Sequence, residues 1–440
     1  MNFKRLILVL ALLPIALACF GSGAKEAAKP SVIRYWDIQP GQNLEFKESL
    51  IKKFEAENPN YKIDFSNLPY KDAHTKLITA IQSGDVPDTA YVQTQWIGEF
   101  AAMGALENLE TYVSKWDKKD EVMDLSYKIG RKFKNTLYTI PTEFMIPALF
   151  YRSDWLKEKG FANPPKNWDE FLKTAQAFTD PAQKRYGFSM RGALGSERYY
   201  LMFMIMANKG KIFDESGNCI LNNQAGKEAL RFYGELFTKY KVCPESAPNN
   251  SYMETAAEFS SGLAGMYIHN NYSISKQTWN FLGKKAEGLP TIEEYAKTAA
   301  SFGTTPIPGG PYGTYVFVFS NTHPIFAKAK NKAGTWEFIK FLLAAENDLY
   351  WASNLGALPV NKQNYESEWF KTNPFLRAFK DELNASDRVY QYPEDLPGWG
   401  ALTQTVLVEE FQKGLLGKQT WEEAADNIAA AITKVNKETK

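Results

Sequence analysis

Ser31-Val-Ile-Arg-Tyr-Trp-Asp-Ile38 begins the stretch that decides the fold. It is an apolar, β-rich run, and the segments after it alternate in period. Within residues 42–57, Phe46, Leu50 and Phe54 fall at i, i+4 and i+8, one face of a helix. Tyr61, Ile63 and Phe65 then alternate as a strand. Ala73, Leu77, Ile78 and Ile81 mark a second helix stopped by Gly84. Asp88-Thr-Ala-Tyr-Val92 reads as a third strand, and residues 94–103 as a third helix ended by Gly104. Strand–helix–strand alternation predicts an α/β fold with a mostly parallel sheet covered by helices. In such sheets ligands meet the loops at the strand ends.

Further along, three extended, proline-marked passages break the pattern. They are Tyr138-Thr-Ile-Pro141 leading to Ala148-Leu-Phe-Tyr151, then residues 301–320 with Thr305-Pro-Ile-Pro-Gly-Gly-Pro311 before Tyr315-Val-Phe-Val-Phe-Ser320, and finally Gly356-Ala-Leu-Pro-Val360. A chain that leaves one lobe, builds another, returns and leaves again accounts for them. The expected architecture is two lobes, each a mostly parallel sheet flanked by helices, joined by a multi-strand hinge around a cleft. The first lobe is assigned residues 31–141 and 305–355, the second 142–304 and 356–440.

The chain has 440 residues, 44% hydrophobic and 23% charged, a globular composition. Its 51 Lys+Arg against 50 Asp+Glu leave a net charge of +1, which supplies no electrostatic reason to bind nucleic acid. Aromatic content is high, with 11 Trp, 23 Tyr and 29 Phe. Residues 1–18 read as an export signal: Lys4 and Arg5 precede an apolar stretch too short to span a bilayer, which takes ~20 residues. Ala16-Leu-Ala-Cys19 is similar to a bacterial lipobox, which makes Cys19 the expected lipidation site. An ordinary signal cleaved near Ala18 is the alternative. Residues 19–30, rich in Gly, Ser, Ala and Lys, read as a tether.

Cys219 and Cys243 flank an expected helix at 224–239, ~24 Å long, which argues against a disulfide between them. The three histidines, His74, His269 and His323, are scattered and form no metal-ligand spacing. No cofactor is expected. Nucleophile-elbow, P-loop and dinucleotide motifs are missing from the sequence.

Four stretches together carry a family likeness. The first is Ser83-Gly-Asp-Val-Pro-Asp88 with Gln95-Trp96 and Gly104-Ala-Leu-Glu-Asn-Leu109. The second is Ile140-Pro141 through Phe150-Tyr-Arg-Ser-Asp154 to Pro164-Pro-Lys-Asn-Trp168. The third is Ala264-Gly-Met-Tyr-Ile268 with the tail His269-Asn-Asn-Tyr272. The fourth is Ala333-Gly-Thr-Trp-Glu-Phe-Ile-Lys-Phe-Leu342 and Leu358-Pro-Val360. In order and spacing they resemble the extracellular solute-binding lipoproteins that feed carbohydrate ABC importers, the group that includes maltose-binding protein. The resemblance implies an exported, lipid-anchored, monomeric receptor facing the periplasm or cell exterior. Its partners would be a sugar, the permease subunits and the bilayer, and it would have no catalytic activity.

That likeness puts Trp36, Asp37, Gln95, Trp96, Glu143, Phe144, Glu197, Tyr199, Tyr272 and Trp399 at the ligand. Arg191, Asn270, Asn271 and Tyr315 join them as polar or aromatic neighbours. The chemistry fits a sugar, because aromatic rings cover its C–H face while amides, carboxylates and Arg satisfy its hydroxyls. Three rival readings stay open, one of them an adhesin with an inherited fold whose cleft would be packed shut with side chains. A phosphate ester would be read by Arg191 or Arg198, and a glycan-active enzyme would need two facing carboxylates. The segment from Trp279 to Thr298 has no assigned role.

Overall fold

The computed structural model describes residues 29–38, 44–285, 289–384, 388–390, 392–393 and 396–438. The expected signal segment and lipidation site Cys19, and part of the 279–298 segment, lie outside them. The described residues form ten strands: β1 (Ser31–Asp37), β2 (Tyr61–Asn67), β3 (Thr89–Gln93), β4 (Pro147–Arg152), β5 (Tyr186–Ser189), β6 (Ala264–Asn270), β7 (Phe302–Thr305), β8 (Val316–Phe317), β9 (Asn321–Thr322) and β10 (Val389–Tyr390). In the first lobe the sheet order is β2-β1-β3-β9. β1 runs parallel to β2 and β3, in register Ser31↔Tyr61 and Tyr35↔Thr89, and only β9 is antiparallel. The helix Leu44–Glu57 buries Phe46, Leu50 and Phe54, the face its periodicity predicts. Each such side chain contributes about 1.5–3 kcal/mol by leaving water.

The second lobe corrects the expectation of a mostly parallel sheet. Its order is β5-β6-β4-β7, and only the β5–β6 pair is parallel. β4 is antiparallel to both β6 and β7. The reason lies in the connections. β4 enters directly from the hinge, so its direction is set by the crossing and not by a βαβ return. The boundary near residue 305 moves as well. β7 pairs with β4 (Leu149↔Thr305), and β8 pairs with β10, so the chain returns to the first sheet only at β9. The expected strand over 315–320 is therefore reduced to Val316–Phe317, with Phe319 bridging to Met145.

The hinge is built where three crossings lie side by side. Phe144 and Leu358 exchange backbone hydrogen bonds of 2.9 and 3.0 Å, and Met145 and Phe319 exchange bonds of 2.7 and 2.8 Å. Pro141 bridges to Thr322. Two apolar cores flank this junction, one around Tyr35, Phe54, Phe100 and Trp351, the other around Phe150, Phe203, Tyr233 and Phe411. In the second core, Gly234 and Gly414 face the Trp421 ring from two helices, and a Cβ on either would collide with it. Cys219 and Cys243 are separate buried thiols, as the intervening helix Gln224–Thr238 predicts. Burial pushes the Cys219 thiol up to about 11. Among the described residues no helix is long and apolar enough to cross a membrane.

Glu382 exposes a titration built into the second lobe. Its carboxyl is buried, accepts a 2.7 Å bond from the Ile307 N–H, and is pushed up to about 8 by burial. A carboxyl that binds its proton more tightly folded than unfolded stabilises the native state below pH ~4, and that stability is lost as pH rises toward 8. Urea midpoints should therefore fall between pH 5 and pH 9, with about 4 kcal/mol due to this group. Glu382→Gln keeps an acceptor for Ile307 and should remove that part of the slope. An unchanged slope would rule out Glu382 as its source.

Candidate functional site

The carboxyl ends of β1 and β3 in one lobe and of β5 and β6 in the other mark the facing edges of the two sheets, where this class of sheet presents its ligand loops. After β3 the chain turns through Thr94–Trp96, which carries Gln95 toward the second lobe. There the helix Glu197–Ala207 presents Glu197, Arg198 and Leu201 from its first turns. These residues, with Phe317 and Phe319 of the crossing and Tyr392, Trp399 and Thr403 of the C-terminal segment, enclose a small cavity. Its free volume is about 10 Å³, enough for one water molecule. With the lobes as they sit here, it admits nothing larger.

The cavity combines apolar rings with one ion pair. Trp399 is buried and stacks on Tyr392, with centroids 6.0 Å apart and planes inclined 23°. The Arg198 guanidinium lies 4.4 Å from the Phe319 ring, and its Nε is 3.6 Å from Glu197 Oε1. Burial raises the Glu197 carboxyl, against the opposing pull of Arg198 and then Arg191. Glu197 Oε2 is buried and has no hydrogen-bond partner among the described residues. Gln95 Nε2 is hydrogen-bonded to Gln93 Oε1, which fixes its side chain at the wall.

Beside Glu197 lies a second polar group at the carboxyl ends of β5 and β6. Arg191 is 7% exposed, and its guanidinium carbon lies 5.1 Å from the Tyr199 ring and 5.8 Å from the Tyr252 ring. His269 packs on Tyr252 at 4.4 Å. Burial first, then Arg191, holds its imidazole well below the usual range, so it is neutral near pH 7. Asn270 Oδ1 is buried and unpartnered among the described residues, while its Nδ2 approaches the Met145 sulfur at 3.6 Å.

Other expected site residues are held elsewhere, and the reasons are specific. Glu143 is fully buried and accepts bonds from Tyr91, from Tyr272 and Asn321 at 2.7 Å each, and from Trp351 Nε1 at 2.5 Å. With that many protein donors it belongs to the hinge, and Tyr272 with it. Phe144 is core, with no exposed surface. Asn271 is a hinge clamp, accepting from the Ile146 N–H at 3.0 Å and donating to the Gly356 carbonyl at 2.7 Å. Asp37 is paired with Lys47 Nζ at 2.5 Å inside the first lobe. Trp96 turns away from Gln95 to pack on His74 at 4.9 Å and on Phe100 at 6.3 Å. Trp36 packs half-buried against the first core, and Tyr315 lies over Gly210. Of the four aromatic residues expected to share the cleft, Trp36, Trp96, Tyr272 and Trp399, only Trp399 lines the cavity.

Sequence reasoning misses Phe317, Phe319, Tyr392 and Thr403. Period-two alternation puts Tyr315, Phe317 and Phe319 on one face, a signal that could have found two of them. Tyr392 and Thr403 come from C-terminal turns whose position relative to the cleft has no local signature.

Three comparisons bear on this arrangement. Residues 40–348 match the bacterial extracellular solute-binding protein family. A maltotriose-binding protein of Pyrococcus abyssi is 24% identical over 384 residues, spanning 86% of this chain and 77% of that protein. Among solved structures, the GacH receptor of Streptomyces glaucescens, solved unliganded and with acarbose, superposes with a TM-score of 0.78 at 21% identity, covering 93% of this chain and 100% of its own. An ABC transporter solute-binding protein of Thermotoga lettingae bound to α-D-tagatose gives 0.77 at 21% identity, covering 92% of this chain and 100% of its own. Two lobes, a three-crossing hinge, a cavity between them and a match over most of the chain lead to one assignment: the protein belongs to the bacterial extracellular solute-binding protein family.

Proposed function

We propose that this protein is the exported, membrane-anchored receptor of an ABC importer, which closes its lobes around a sugar and delivers it to the permease. Relatives that bind maltotriose, acarbose and tagatose support a polyhydroxylated ligand. One observation carries the reading: an interlobe cavity walled by Trp399, Tyr392 and Phe319, with Glu197 on the same wall carrying an acceptor, Oε2, that has no partner among the described residues. Rings cover a sugar's C–H face, and acceptors of this kind receive its hydroxyls. Among the described residues Glu197 is the one carboxylate on the cavity wall, which favours binding over two-carboxylate hydrolysis. Ligand free energy then shifts an open–closed equilibrium. Anchoring through a lipidated Cys19 would keep the receptor near its permease.

A thermal-shift screen of mono- and oligosaccharides and polyols tests this. A ligand that binds only the folded protein adds about 2.7 kcal/mol of stability at a hundredfold excess over its dissociation constant. At least one sugar should raise the midpoint. Trp399→Ala should weaken that sugar about tenfold or more, and because the ring is also packed in the core it should lower the unliganded midpoint as well, so affinity is compared at a temperature where the variant is folded. A flat screen across every sugar would remove the receptor reading.

A further inference from the structure

Two donors of Arg191 have no acceptor among the described residues. Its Nε and Nη2 are both buried, and neither has a hydrogen-bond partner among the described residues. These two nitrogens share one edge of the guanidinium. The same edge is occupied elsewhere in this protein: Arg131 Nε and Nη2 grip the two Glu110 oxygens at 2.7 and 2.8 Å, and Arg152 grips Asp154 likewise. Two parallel N–H groups match a planar carboxylate.

The surroundings hold that edge in place. Tyr199 and Tyr252 cover the guanidinium. Nη1 lies against Gly195, where a Cβ would come within 2.8 Å of it. The acids nearby are engaged with other groups among the described residues. Glu197 is bridged to Arg198 at 3.6 Å. Glu258 accepts from Ser189, Ser246 and Asn250. His269 is neutral. Glu197 and Glu254 lie within electrostatic reach of Arg191, but neither hydrogen-bonds its fork among the described residues, so an incoming carboxylate supplies the paired contact that a buried guanidinium favours. The nearby Glu197 carboxylate opposes a dianion and selects a single negative charge. Its Oε2, unpartnered among the described residues, calls for a hydroxyl donor on the same ligand.

We propose that the ligand is an acidic sugar, a uronic acid or an oligosaccharide containing one, whose carboxylate is received side-on by Nε and Nη2 of Arg191. This rests on the sugar-receptor reading and narrows it. The test is isothermal titration calorimetry of the full-length protein with matched probes: D-glucuronate against D-glucose, D-galacturonate against D-galactose, digalacturonate, and glucose 6-phosphate. In at least one pair the acid should bind tenfold or more tightly than its neutral partner. Arg191→Gln should erase that preference, and Arg191→Lys, which keeps the charge but not the fork, should restore only part of it. Should Arg191→Gln fail to fold, the wild-type preference and Arg191→Lys decide the matter. Equal or tighter binding of the neutral sugars, a preference for the phosphate ester, or an acid preference that survives Arg191→Lys undiminished would each overturn this proposal while leaving the sugar receptor standing. Binding of none of these probes overturns it too, and the broader thermal-shift screen then decides separately whether any sugar binds.

Discussion

Glu143→Ala is expected to lower native stability by about 3–5 kcal/mol, more than any other single substitution in the hinge. The carboxylate is fully buried at the point where the first crossing passes between the lobes. Tyr91 and Asn321 reach it from the first sheet, Trp351 from a first-lobe helix and Tyr272 from the end of β6. Truncation takes the acceptor from Tyr91, Tyr272 and Trp351, while Asn321 keeps its 2.8 Å bond to Tyr91 Oη, and leaving a buried donor unmade costs about 1–3 kcal/mol. Partial rearrangement keeps the sum below simple addition. Tyr91 and Tyr272 already hold their protons far above the usual phenol range, by burial and then by Glu143. They stay donors at every working pH, and the loss should be as large at pH 9 as at pH 6. Glu143→Gln, which keeps the shape and one acceptor, should lie between. Urea unfolding checks this, and a loss under 1 kcal/mol for the alanine variant would remove Glu143 from the hinge's main supports.

Lys47→Met should cost a comparable ~3–5 kcal/mol by a different route. Lys47 is 2% exposed and Asp37 fully buried, and the ammonium sits 2.5 Å from Oδ2. The ammonium also lies 4.5 Å from the Tyr91 ring centroid and 5.4 Å from that of Trp351. Methionine fills much of the same volume, so the penalty comes from the charge left behind on Asp37. Tyr35 Oη, 3.3 Å from the same oxygen, cannot replace an ammonium. The double variant Lys47→Met/Asp37→Asn removes both charges and should recover a large part of the loss. Such recovery is the signature of a desolvated pair. If the double variant is as unstable as Lys47→Met alone, packing and not charge is the cause.

These two sites also show where sequence reading reached and where it stopped. Asp37 and Glu143 are acids at the ends of extended segments, and the family likeness marks them as ligand contacts. Their actual partners are Lys47, ten residues along, and Tyr91, Tyr272, Asn321 and Trp351, spread over more than 250 residues. Whether an acid is taken up by the protein or left for a ligand depends on which donors the fold brings to it. Arg191 shows the reverse: nothing in its neighbourhood along the chain distinguishes it from a solvated cation, yet folding buries its fork without a partner among the described residues.

The amino-acid sequence by itself determined the alternation of β1, β2 and β3 with their helices, the face of Leu44–Glu57 that turns inward, the proline-marked crossings and hence the two lobes. All of these follow from the period of apolar residues and from backbone stiffness, which act over a few residues at a time. Tertiary structure alone decided the direction of β4 in the second sheet, the company of Trp399 with Tyr392 and Phe319, and the division of acids and cations between hinge and cavity. Those outcomes depend on contacts between segments far apart in the chain, whose electrostatic and packing energies exist only once the lobes have assembled.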